Sequence, residues 1–172
     1  AGADFIGAIE RWINGPLPPG FHDERAAADA RVIAEGVGEV AGAVAFVRSL
    51  PTGLPKAVVS SSSTAWIRAH LAHIGLSDAF GDHIYSGREH VEHGKPAPDL
   101  YIYAADRLGV AIADCAIIED SPVGATGAVA SGGYVIGLTA GNHCGHGHGA
   151  RLRALGVQAI ATDFAEVAAL LA

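Results

Sequence analysis

The sequence predicts an α/β fold: a parallel sheet with helices on both faces and a small helical appendage at the start. Three observations predict it. From residue 56 on, short apolar runs alternate with helical stretches of about ten residues, the pattern of βαβ units. Turn clusters rich in glycine and proline, such as Leu50-Pro51-Thr52-Gly53, separate the segments. Three polar segments lie past the C-terminal ends of predicted strands, where open α/β sheets bind ligands. With 172 residues, half of them apolar, the chain can bury a sizeable core.

The elements follow in order. Residues 4–14 place Phe5, Ile6, Ile9, Trp12 and Ile13 at helical spacing, and Gly15-Pro16 ends that helix. Residues 23–36 predict a second helix whose apolar face, Ala27, Ala30, Val32 and Ile33, is thin and suits an appendage. A third helix over 39–49 carries Val40, Val44, Phe46 and Val47. Strands are then expected at 56–60, 83–86, 115–119, 134–138 and 158–161. Helices are expected at 64–74, 98–109, 122–131, 149–155 and 164–171.

Composition excludes several classes of function. A net charge of −7 with scattered Lys and Arg argues against nucleic acid and anionic membranes as partners, so any anion must be met by a local site. No apolar run is long enough to span a membrane, and acids interrupt the first apolar stretch, which gives a cytoplasmic location as the default expectation. Cys115 and Cys144 make no disulfide framework and are expected as free thiols.

The polar segments are VVSSSS (58–63), HGKPAPDLY (93–101) and IIEDSPVGA (117–125). In the first, Ser61, Ser62 and Ser63 lead from a strand into a helix and offer hydroxyls and free N–H groups to an anion, or form a serine-rich helix cap. In the second, Lys95 lies between Gly94 and Pro96 in a stiff loop that aims an ammonium inward or leaves it solvated. In the third, the adjacent acids Glu119 and Asp120 suit a hard cation such as magnesium, while Asp120 or Ser121 alone reads as a plain N-cap.

Taken as an ordered set, these segments strongly resemble the haloacid dehalogenase superfamily, in its phosphatase and β-phosphoglucomutase-like branch with a helical cap. The resemblance implies a Rossmann-like core over 37–172 and a partial α-helical cap over 1–36. It implies that Ser61, with the Ser62 backbone, binds the substrate phosphate, that Lys95 is a catalytic phosphate-binding cation, and that Glu119 and Asp120 are Mg2+ ligands. The family's first motif, an Asp-x-Asp that supplies the nucleophile on the central strand, is absent, and Asp4 and Asp29 fall in helical patterns. Without that strand the sheet is expected to have a gap in its middle, with ladder groups unpaired. The sequence is therefore expected to be the C-terminal part of a longer protein.

The function expected from the resemblance is a magnesium-dependent phosphatase of a small phosphorylated metabolite, with a sugar phosphate as the leading class, acting through an aspartyl-phosphate in the intact protein. A phosphosugar mutase and a non-catalytic phosphate-binding domain are the alternatives. Other constellations are weaker. His143, Cys144, His146 and His148 lie in the biased loop TAGNHCGHGHG (139–149), and the glycines between them argue for a flexible polar loop over a metal site. His90 and His93 flank the lysine loop, with substrate contact and loop shaping both open. No phosphate-cradling GxxxxGK[ST] or esterase GxSxG pattern occurs.

Overall fold

The computed structural model describes residues 2–172, with side chains from Ile6 onward. Asp4 and Phe5 therefore lie outside the residues whose side chains are described. Eight α-helices and five strands follow one another along these residues. The first two helices, α1 (Gly2–Ile13) and α2 (Phe21–Glu35), precede the sheet-forming part. None of the α2 residues is buried, in keeping with its thin apolar face, and Trp12 at the end of α1 is 86% exposed.

Next come α3 (Ala43–Ser49), β1 (Val58–Ser60), α4 (Thr64–His73) and β2 (Ile84–Ser86). They are followed by α5 (Asp99–Leu108), β3 (Ala116–Glu119), α6 (Pro122–Ser131) and β4 (Tyr134–Leu138). The chain finishes with α7 (His148–Ala154), β5 (Ala159–Ala161) and α8 (Phe164–Leu171). Every strand pair is parallel, as connections through helices require.

Side chains alternate across the strands with period two, so each helix layer is dictated by strand register. On β4, Val135 packs with Ala125 and Ala128 of α6 and Leu152 of α7. The neighbouring Ile136 and Leu138 pack instead with Phe46 of α3 and Val167 of α8. Similarly, Ile84 of β2 joins Ile67 and Leu71 of α4, whereas Tyr85 joins Leu100 and Ala104 of α5.

Two sheets share these helix layers. The strands β1 and β2 form one, and β3, β4 and β5 form the other in that order. Among the described residues β1 and β3 are not paired, so each presents an unpaired edge. Helices span the division: Val47 of α3 packs in both clusters of its layer, and Val59 of β1 packs with both clusters of the other. The expected gap in the middle of the sheet thus lies between the serine-bearing and the acid-bearing strands.

Candidate active site

Lined by Val59, Ser60, Ser61, Lys95, Ile118, Glu119, Asp120 and Ser121, a cavity of about 360 Å³ opens at the C-terminal ends of β1 and β3. It therefore draws on all three polar segments, and Ser61, Lys95, Glu119 and Asp120 all face it. Ser62 lies beside it, with its backbone N–H donating to Ser60 Oγ at 3.1 Å. Ser63 is spent as the N-cap of α4, accepting from Trp66 N at 3.3 Å. The serine run thus divides its labour: Ser60 and Ser61 line the cavity and Ser63 caps the helix.

Glu119 is the anchor. Two residues beyond Ile117 on β3, it faces the α5 and α6 side, where it is 7% exposed. A buried carboxylate needs partners. It has the Lys95 ammonium, the Tyr101 hydroxyl at 2.6 Å and, more distantly, Ser121 Oγ at 3.4 Å. Tyr101 Oη also lies 2.9 Å from the Gly124 carbonyl, so its single proton is shared between two acceptors. Burial, followed by the charge of Glu119, pushes the Tyr101 phenol far above its ordinary value, which keeps it a donor.

Lys95 reaches across the division between the sheets. Its Nζ also donates to the Val59 carbonyl on β1 at 3.4 Å and stands 5.0 Å from the centre of the Tyr101 ring. The Lys95–Pro96 peptide is cis. Two glycines of α6 make room for this arrangement. A Cβ at Gly127 would lie 2.8 Å from the Pro96 carbonyl oxygen and 2.7 Å from that of Ala97, and a Cβ at Gly124 would overlap the Glu119 carboxylate.

Asp120 is more open, with a side chain 47% exposed, and its Oδ2 lies 3.4 Å from His143 Nε2. Its backbone is fixed from below: the carbonyl accepts from Nε2–H of the buried His148 at 2.6 Å, while His148 Nδ1 accepts from Arg151 Nη2 at 3.2 Å. The donors facing the cavity, two carboxylates and serine hydroxyls, are all oxygen. That set suits a hard cation of the magnesium kind, which needs only one or two carboxylates beside waters and a phosphate.

Tyr101, Ser60, Gly124 and His148 were not legible as site residues in the sequence. The helical spacing of Tyr101 signals only a core position, and its hydroxyl reaches Glu119 because its ring packs in one cluster with Ile117 of β3 and Ala125 of α6. His90 and His93 do not line the cavity. His90 Nδ1 accepts from Ser86 N at 3.0 Å and its ring packs on Tyr85 and Tyr103, so it shapes the loop; His93 pairs with Asp99 at 3.2 Å on the surface.

Residues 11–132 match the sequence pattern of the haloacid dehalogenase-like hydrolases. Hexitol phosphatase A of Escherichia coli is 36% identical over 107 residues, 62% of this chain and 48% of the relative. The β-phosphoglucomutase of Mycobacterium bovis is 39% identical over 121 residues, 67% of this chain and 44% of the relative. The chain thus spans about half the length of the curated relatives it matches. Among solved structures, a haloacid dehalogenase family hydrolase from Deinococcus radiodurans, with bound phosphate and sodium, superposes with a TM-score of 0.78. It is 30% identical, over 97% of this chain and 73% of that one.

Proposed function

Since the chain belongs to the haloacid dehalogenase-like hydrolases, we propose that the intact protein is a magnesium-dependent phosphatase of a small phosphorylated metabolite, a sugar phosphate by preference. One observation carries this reading. Lys95, the serine hydroxyls and the two acids converge on a cavity at the unpaired edges of β1 and β3. The strand bearing the nucleophilic aspartate would lie between those edges and complete both ladders.

In this reading Lys95 and Ser61 bind the transferring phosphoryl group, with the Ser62 backbone beside them, and Glu119 and Asp120 hold Mg2+. The formal charge around the cavity supports the need for a cation. One lysine against two carboxylates leaves −1, which repels a phosphate dianion, and a divalent ion reverses the sign. When bound, Mg2+ neutralises phosphoryl oxygens. The chain's own residues preorganise the rest: Tyr101 and Lys95 hold Glu119 in place, and His148 fixes the Asp120 backbone. Positioning and charge stabilisation are most of what phosphoryl transfer asks of a protein. Residues 1–36 are read as part of a cap that helps select the substrate.

The similarity to hexitol phosphatase A favours hydrolysis. The longer match to β-phosphoglucomutase favours a second reading, return of the phosphoryl group to a substrate hydroxyl. Incubating the intact protein with a hexose monophosphate and Mg2+ separates them: free phosphate is expected, and an isomeric sugar phosphate without free phosphate would establish the mutase.

A further inference from the structure

The loop between β4 and α7, predicted from its glycines to be a flexible polar stretch, and the first residue of α7 together gather three soft ligands. One ligand atom each from His143, Cys144 and His148 lies within 4.8 Å of the others. His143 Nε2 stands 3.5 Å from Cys144 Sγ. In a tetrahedral zinc site, with Zn–N near 2.0–2.1 Å and Zn–S near 2.3 Å, the edge between nitrogen and sulfur is about 3.5 Å. Two of the three ligands therefore already stand at metal-binding separation, and the third lies within 4.8 Å of both.

His148 supplies the rigidity that the glycines lack. It is 5% exposed, and its Nε2–H is donated to the Asp120 carbonyl. A ring N–H given to a backbone carbonyl is the outer contact that metal-bound histidines characteristically keep, because it fixes the tautomer and the ring. The lone pair then sits on Nδ1, where it accepts from Arg151. A metal at Nδ1 requires the exposed Arg151 side chain to give up this bond.

We propose that His143, Cys144 and His148 form a metal site for a borderline-soft divalent cation of the zinc type. The fourth position is left to water or to Asp120, whose Oδ2 is 3.4 Å from His143 Nε2. Binding forms the sulfur–metal bond as the Cys144 thiol releases its proton to solvent. The two neighbouring sites sort metals by ligand softness: thiolate and imidazole on the loop select zinc-like ions, and the oxygen donors around Glu119 and Asp120 select magnesium. His143, Cys144 and His148 themselves have no part in the phosphatase reading; only Asp120, the alternative to water at the fourth position, is shared with it.

The test uses the intact protein, stripped with a chelator, supplied with excess Mg2+ to occupy oxygen sites, and titrated with Co2+ as the probe. A thiolate-to-cobalt charge-transfer band saturating at one equivalent is expected. Cys144→Ser removes that band, Cys115→Ser leaves it intact, and His143→Ala weakens Co2+ binding at least ~10-fold. Cobalt bound without a charge-transfer band, or a band that survives Cys144→Ser, would overturn the proposal. So would loss of the band in Cys115→Ser alone. If Cys144→Ser fails to fold, a band retained in Cys115→Ser still assigns it to Cys144, and a wild type that shows no band overturns the proposal.

Discussion

The Lys95 ammonium pairs with the Glu119 carboxylate across the space between β1 and β3, and the two side chains are only 10% and 7% exposed. Such a pair is costly to break, because removing one partner leaves the other buried and uncompensated. Lys95→Ala is therefore expected to destabilise the fold by about 3 kcal/mol, the lower end of the range for buried pairs because this one borders an open cavity. Urea unfolding measures the loss. A variant as stable as the wild type would mean that water satisfies Glu119.

Tyr101→Phe removes the hydroxyl but keeps the ring against Ile117 and Ala125. The lost hydrogen bond to a charged group costs about 1.5–3 kcal/mol. Because Glu119 also loses an orienting contact, the Mg2+ concentration for half-maximal activity is expected to rise ~10-fold or more with a smaller change in turnover at saturating metal. Unchanged metal dependence would show that Lys95 alone positions the carboxylate.

Glu89 clamps the start of α4 to the loop after β2. Its carboxylate accepts from Thr64 Oγ1 at 2.5 Å and from Thr64 N at 3.0 Å. The hydroxyl bond first and the amide bond second hold the Glu89 carboxyl below its ordinary value of 4.5. The folded state then binds this proton less readily than the unfolded state, so the contribution is present above pH 4.5 and fades as pH falls through the folded value. Glu89→Gln is expected to flatten the acid limb of a stability–pH profile, and superimposable acid limbs would contradict the clamp.

Gly124→Ala sets two effects against each other. Alanine gains roughly 0.5–1 kcal/mol in a helix interior. The added Cβ, however, overlaps the Glu119 carboxylate, and overpacking typically costs about 1–3 kcal/mol. Net destabilisation with reduced activity is expected, checked by thermal unfolding and phosphate release together; a stabilised, fully active variant would show that Glu119 has room to move.

The strands and helices were legible where period and punctuation agree. The expected limits of α6, β4 and α8 coincide with those observed. α3 begins at Ala43, four residues later than its apolar spacing predicts, because Gly42 takes a left-handed φ of 84° and the Glu39 carboxylate accepts from Val44 N at 2.8 Å. The strand expected from Lys56 starts at Val58, where pairing with β2 begins. Ser61, Lys95, Glu119 and Asp120, singled out from the three polar segments, line one cavity. Tyr101 was not singled out, since a core tyrosine and a ligand-orienting one share the same spacing. His143, Cys144, His146 and His148 were singled out but read as a flexible loop, because the anchoring of His148 to the backbone of Asp120, 28 residues away, leaves no mark on local spacing.

The most direct measurement is release of inorganic phosphate from a hexose or hexitol phosphate by the intact protein with Mg2+, for the wild type and for Lys95→Ala, below the unfolding temperature of both. Turnover by the wild type and a loss of at least ~10²-fold in the variant, the scale of one preorganised charge contact, are predicted. Near-normal turnover in Lys95→Ala, or no phosphate released by the wild type, would contradict the assignment of this cavity as a phosphoryl-transfer site.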